Sequence, residues 1–216
     1  MGAIARNIAN NITTSGVFTS SAINNSSVTG ITVLANASDG ITLISSQTAS
    51  SSASLSFTTG ITSTYKAYKF VFVNCHPQTD GVNLQFNMST DGGSNYNVTK
   101  TTTAFLSYHN EADDSTGVSY QTSFDLAQST AFQPLSYTIG NDNDQSWSGS
   151  LQLFNPASTT YVKHFISISN EYNQNDFCQN SYYAGYGNTT SAVNAIRFQM
   201  SSGNIDAGTI YMYGIK

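Results

Sequence analysis

At 216 residues, 39% hydrophobic and 12% aromatic but only 9% charged, the chain has the composition of a folded domain covered by Ser, Thr, Asn, Gln and Gly, and not that of a disordered polyelectrolyte. A formal charge of −5 with only seven Lys and Arg leaves no basic face to neutralise phosphates, so nucleic acid is not an expected partner. No run is long and apolar enough for a membrane-spanning helix, so membrane insertion is not expected either.

Residues 1–38 stand apart. Ile4, Ile8 and Ile12 recur every four positions, which aligns them on one face of a short helix with Ala3, Ala5 and Ala9 as good formers; Thr13-Thr14-Ser15-Gly16 then stops it. Asn7, Asn10 and Asn11 interrupt anything that would serve as the apolar core of a secretory signal, so synthesis in a cytoplasm is the expectation. The stretch that follows has little aromatic weight beyond Phe18. A few isoleucines do not offset the entropy of ordering such a segment. It reads as an arm whose apolar positions, Ile4, Ile8, Ile12, Val17 and Phe18, are buried on docking to another subunit or a larger assembly; the bland alternative is a disordered leader.

From Gly40 strand signals follow one another. GITLISS and SASLSF alternate, and YKAYKFVFV is the longest β-prone run, with Lys66, Tyr68, Phe70 and Phe72 opposite Tyr65, Ala67, Lys69, Val71 and Val73. Its second half is apolar on both faces, which predicts a central strand. In GVNLQFNMS, Val82, Leu84, Phe86 and Met88 are expected inward, and Asp91-Gly92-Gly93-Ser94 is a strong turn. AFLSYH, LSYTIG, SLQLF and YVKHFISIS are further strands. At the end Ile196, Phe198 and Met200 oppose Arg197 and Gln199, and Ile210 and Met212 oppose Thr209, Tyr211 and Tyr213; with Ser202-Gly203-Asn204 between them, this pair reads as a closing β-hairpin. Many short strands with turn chemistry between them predict an all-β fold: an antiparallel β-sandwich of jelly-roll type over 39–216, preceded by the arm with its short helix.

The run LSFTTGITSTYKAYKFVFVNCHPQTDGVNLQFNMSTDGGSNY and the closing IRFQMSSGNIDAGTIYMYGIK resemble structural proteins of tailed bacteriophages, and the opening ARNIANNITTSGVFTSSAINNSSV is similar to the start of phage fibre and appendage proteins. The resemblance covers most of the chain and implies a virion component, a tail appendage or fibre-like protein or one on the capsid surface, with other virion proteins as partners and a homotrimer as its assembly. These motifs are strands and turns, which specify a fold more than a role.

Chemistry is not expected. His76, His109 and His164 sit in unrelated contexts, and no Ser stands in a nucleophile elbow. Carboxylate pairs are available among Glu111, Asp113, Asp114, Asp125, Asp142, Asp144 and Glu171, as twelve acids make inevitable. Asp142-Asn143-Asp144 has the alternating oxygens that calcium prefers but lacks the remainder of an EF-hand, and reads as an Asx turn. No cofactor and no metal site is predicted. Cys75 and Cys178 lack metal-ligand spacing and read as small hydrophobes, with a disulfide as the alternative if their strands are neighbours. The best recognition surface lies in residues 171–190, where Tyr172, Phe177, Tyr182, Tyr183 and Tyr186 stand among amides and glycines. That mix serves packing and subunit interfaces first, and the faces of host-surface glycan second.

Overall fold

In a computed structural model, residues 40–216 are described; the predicted helix and the docking positions of the arm lie outside them. Twelve strands follow in order: β1 (Ile41–Thr48), β2 (Leu55–Phe57), β3 (Ala67–Pro77), β4 (Leu84–Ser89), β5 (Lys100–Asn110), β6 (Thr116–Tyr120), β7 (Gln133–Pro134), β8 (Trp147–Phe154), β9 (Lys163–Tyr172), β10 (Phe177–Gly187), β11 (Ala195–Met200) and β12 (Ile205–Ile215). They form an eight-stranded sheet, ordered β1-β12-β3-β8-β9-β10-β5-β6, and a four-stranded sheet, ordered β2-β11-β4-β7. Every strand pairing is antiparallel.

The pairings are nested. β2 pairs β11, β3 pairs β8, β4 pairs β7 and β5 pairs β6, while the chain passes back and forth between the sheets. An antiparallel ribbon folded on itself in this way is a jelly roll. Here one strand of the large sheet is expanded into the meander β8-β9-β10, and β12 and β1 widen its other edge.

The face expected inward on β4 is buried, and on β3, β11 and β12 one of the two alternating sets is buried. Tyr68, Phe70 and Phe72 on β3, Leu84, Phe86 and Met88 on β4, Ile196, Phe198 and Met200 on β11, and Ile210 and Met212 on β12 are all buried. Phe198 is the hub. Its ring lies 5.0 Å from Phe72, 5.3 Å from Phe70, 6.2 Å from Phe57 and 6.4 Å from Phe86, joining small-sheet and large-sheet aromatics in edge-to-face and tilted contacts. Phe72 meets Trp147 at 4.8 Å, and Phe86 meets Phe165 at 5.0 Å.

Two expectations are corrected. The last two strands are not a hairpin: β11 pairs β2 and β4 in the small sheet, whereas β12 pairs β1 and β3 in the large one. Period-two patterning assigns faces, not partners, and the turn at 201–204 carries the chain across the sandwich. LSYTIG is not a regular strand either; it contributes one bridge from Ile139 to Val82 and another to Asn173 beside the two-residue β7. The Asp91 turn forms as expected, with Gly92 and Gly93 at φ 73° and 91°. Asp91 caps it by accepting hydrogen bonds from Ser89 Oγ at 2.6 Å and from the Asn95 N–H at 2.9 Å, which hold its carboxyl down to about 2.

Candidate functional site: the outer face of the large sheet

β9 departs from the usual rule. Its inward residues include Ser167, Ser169 and Glu171, while His164, Ile166 and Ile168 face outward. The cause is what covers the inner side. Beyond the small sheet, the inner face of β5, β9 and β10 is roofed by the connection running from β6 to β8, whose backbone groups need partners. Ser169 Oγ donates to the Leu135 carbonyl at 3.0 Å, the Tyr183 hydroxyl donates to the Ser136 carbonyl at 3.2 Å, and the Tyr137 N–H donates to Glu171 Oε1 at 2.9 Å. Thr102 Oγ1 accepts from the Leu126 N–H at 2.8 Å and donates to Gln133 Oε1 at 2.6 Å. A polar roof draws polar side chains inward. By alternation, the apolar ones then face solvent.

The result is an apolar outer surface on the large sheet. One register row crosses all eight strands: Tyr120 on β6, Phe105 on β5, Tyr182 on β10 and Ile168 on β9, continuing through Ser150, Val71 and Tyr211 to Ser46 on β1. The Phe105 and Tyr182 rings are stacked, 4.8 Å apart and 6° from parallel. Phe105, Tyr120, Ile166, Ile168, Leu43 and Val118 are all exposed. Ala184, small between Tyr182 and Tyr186, leaves an open cleft of about 490 Å³ bordered by Thr101, Thr103, Phe154, His164, Ile166 and Tyr186. His164 and Tyr186 meet edge to face at 6.2 Å.

A second hollow of about 440 Å³ lies at the β9–β10 turn end, lined by His109, Glu111, Asp113, Asn170, Tyr172 and Cys178. Cys178 stands opposite His109 in register and accepts a hydrogen bond from Asn170 Nδ2 at 3.2 Å, but His109 turns to Asp113, 2.9 Å away. The Tyr172 hydroxyl is pushed up to about 12, first by its hydrogen bond to Glu111 and then by desolvation and by Asp176.

The recognition residues read from the sequence do not form one surface. Tyr172, Tyr182 and Tyr186 belong to the outer face, Tyr172 at the second hollow, whereas Tyr183 is buried under the roof. Phe177 packs against Tyr108 at 5.7 Å. Phe105, Ile166 and Ile168 were missed as site residues although their strands were read; the available signal was that β9 offers isoleucines on one face and serines on the other.

Two lysines are buried within the fold. Lys100 is buried, donating to Asn87 Oδ1 and the Val98 carbonyl, each at 2.7 Å; Lys163, also buried, donates to the carbonyls of Tyr161 and Thr189. Burial draws both ammonium groups below their ordinary range, Lys100 to about 7. Asp142 closes a turn, its carbonyl accepting from the Gln145 N–H at 2.9 Å, and among the described residues no group of three or more His, Cys, Asp or Glu is placed to hold a metal ion. Cys75 faces the core and Cys178 faces solvent; both are free thiols, so the disulfide alternative is not realised.

Compared with protein-family models, curated proteins and solved structures, the chain matches none of them.

Proposed function

We propose that this chain is a structural protein of a phage virion, a tail appendage or fibre-like component or one on the capsid surface, attached through residues 1–38 and assembled as a homotrimer. The observation that carries this reading is the outer face of the large sheet, where apolar side chains from successive strands share one exposed surface. A contiguous apolar surface of this kind is the mark of a macromolecular contact. Such a protein works by binding without chemistry. Apolar positions of the arm contribute roughly 25 cal/mol per Å² on docking, less the cost of ordering them. Repetition around a symmetry axis then turns weak contacts into stable attachment.

The test is the copy number of the chain in purified particles, by quantitative mass spectrometry against the major capsid protein. A number comparable with the capsid protein indicates a capsid position, a low one a tail or fibre position, and absence rejects the reading. Deleting residues 1–38 is expected to abolish incorporation while leaving a folded domain. Host-surface glycan is the second reading, favoured by the cleft where the Thr101 and Thr103 side chains flank Tyr186. Its test is binding to host polysaccharide by the purified protein and loss of binding in Tyr186→Ala.

A further inference from the structure

We infer that the outer face of the eight-stranded sheet is the surface through which copies of this chain associate with one another. This inference rests on the assembly reading above and adds to it the partner and the place of contact.

Extent is the first support. Eight strands about 4.8 Å apart and roughly six residues of each at about 3.3 Å cover about 34 Å by 20 Å, on the order of 700 Å², close to the roughly 800 Å² per partner of a stable interface. Charge is the second. The row through Phe105 and Tyr182 contains no ionisable carboxylate or ammonium group, and the adjacent row, Thr103 to Leu43, contains only Lys69. A face of this kind meets its own copy with little opposition of like charges.

The ring geometry separates a protein partner from a sugar. A pyranose stacks on an open aromatic face, but Phe105 and Tyr182 stack on each other. What remains on offer is ring edges and aliphatic surface, which suit protein side chains. The same face also holds a socket and a knob: the cleft beside Ala184, and Val118 on β6, which is 75% exposed.

The experiment is light scattering with size-exclusion chromatography on the full chain at micromolar concentration. The expected mass is a multiple of the 23.1 kDa chain. Ile168→Lys and Ile166→Lys, tested separately so that one serves if the other misfolds, each place a like charge at the contact centre. Each is expected to weaken association by about a hundredfold or more, with unfolding still cooperative. Gln199→Lys, on the outer side of the small sheet, is expected to leave the mass unchanged. A monomeric wild type overturns the inference, as does an oligomer indifferent to both lysines, or a monomer that binds host polysaccharide in a Tyr182-dependent way. Copy number in particles is read independently: a monomer present in particles removes only the contact, and an oligomer absent from them removes only the virion reading.

Discussion

Phe105 and Tyr182 are register partners on β5 and β10 whose rings stack 4.8 Å apart on the open side of the sheet, while Tyr183, the next residue, is buried and hydrogen-bonded to the Ser136 carbonyl. Adjacent tyrosines therefore do different work, one at a surface and one under a roof.

Tyr182→Ala is expected to cost about 1 kcal/mol, the worth of one exposed cross-strand aromatic pair. Tyr183→Ala should cost about 3–5 kcal/mol, because it removes a buried ring and leaves the Ser136 carbonyl without that donor. Urea denaturation of the two variants side by side gives the contrast. Equal losses would mean that the alternation of β10 is misassigned.

Glu171 is buried, with Oε1 accepting from the Tyr137 N–H and from Ser181 Oγ and Oε2 without a partner. Burial pushes its carboxyl up from 4.5 to about 8, against the lowering effect of the two hydrogen bonds. Between these values the folded chain holds a proton that the unfolded chain has released. Its contribution to stability is complete below pH 4.5 and is lost as pH rises through about 8. Glu171→Gln should flatten that decline, which is on the order of a few kcal/mol, in denaturation curves recorded across this range.

Lys100 has the opposite sign. Its ammonium, 10.5 when unperturbed, is drawn down by burial to about 7, so between those values the unfolded chain binds the extra proton and stability rises with pH. Lys100→Met should remove this rise. Together Lys100 and Glu171 place a local stability minimum between about pH 7 and 8, detectable as a dip in melting temperature between the ordinary values of Glu and Cys, 4.5 and 9.0.

Gly208 sits at φ 112° where the β12–β3 register shifts, and an added Cβ would stand 2.6 Å from the Asn74 carbonyl oxygen and 2.7 Å from Cys75 Cα. Both are backbone atoms with no rotamer to yield. Gly208→Ala should cost about 2–4 kcal/mol by thermal or urea denaturation. A neutral substitution would show that the register shift relaxes.

Much of the sandwich was legible because a strand buried on one side writes its faces into the sequence. The inward residues of β4 were read correctly, and on β3, β11 and β12 the two alternating sets were separated, one of which the fold buries. The turn at Asp91 was legible for a similar reason: two successive glycines mark positive φ whatever lies nearby. The free state of the two cysteines was not legible, since it depends on which way β3 and β10 face.

The chain's own residues determined an all-β fold, the position of most strands and the apolar side of those packed between the two sheets, since hydrophobic alternation and turn chemistry act over a few residues. Only the tertiary structure decided which strands pair, why β11 and β12 part company, and that β9 shows its isoleucines to solvent. Those outcomes depend on what lies across the sandwich. A roof of loop backbone demands polar partners from Ser169, Tyr183 and Glu171, and that demand turns Ile166 and Ile168 outward.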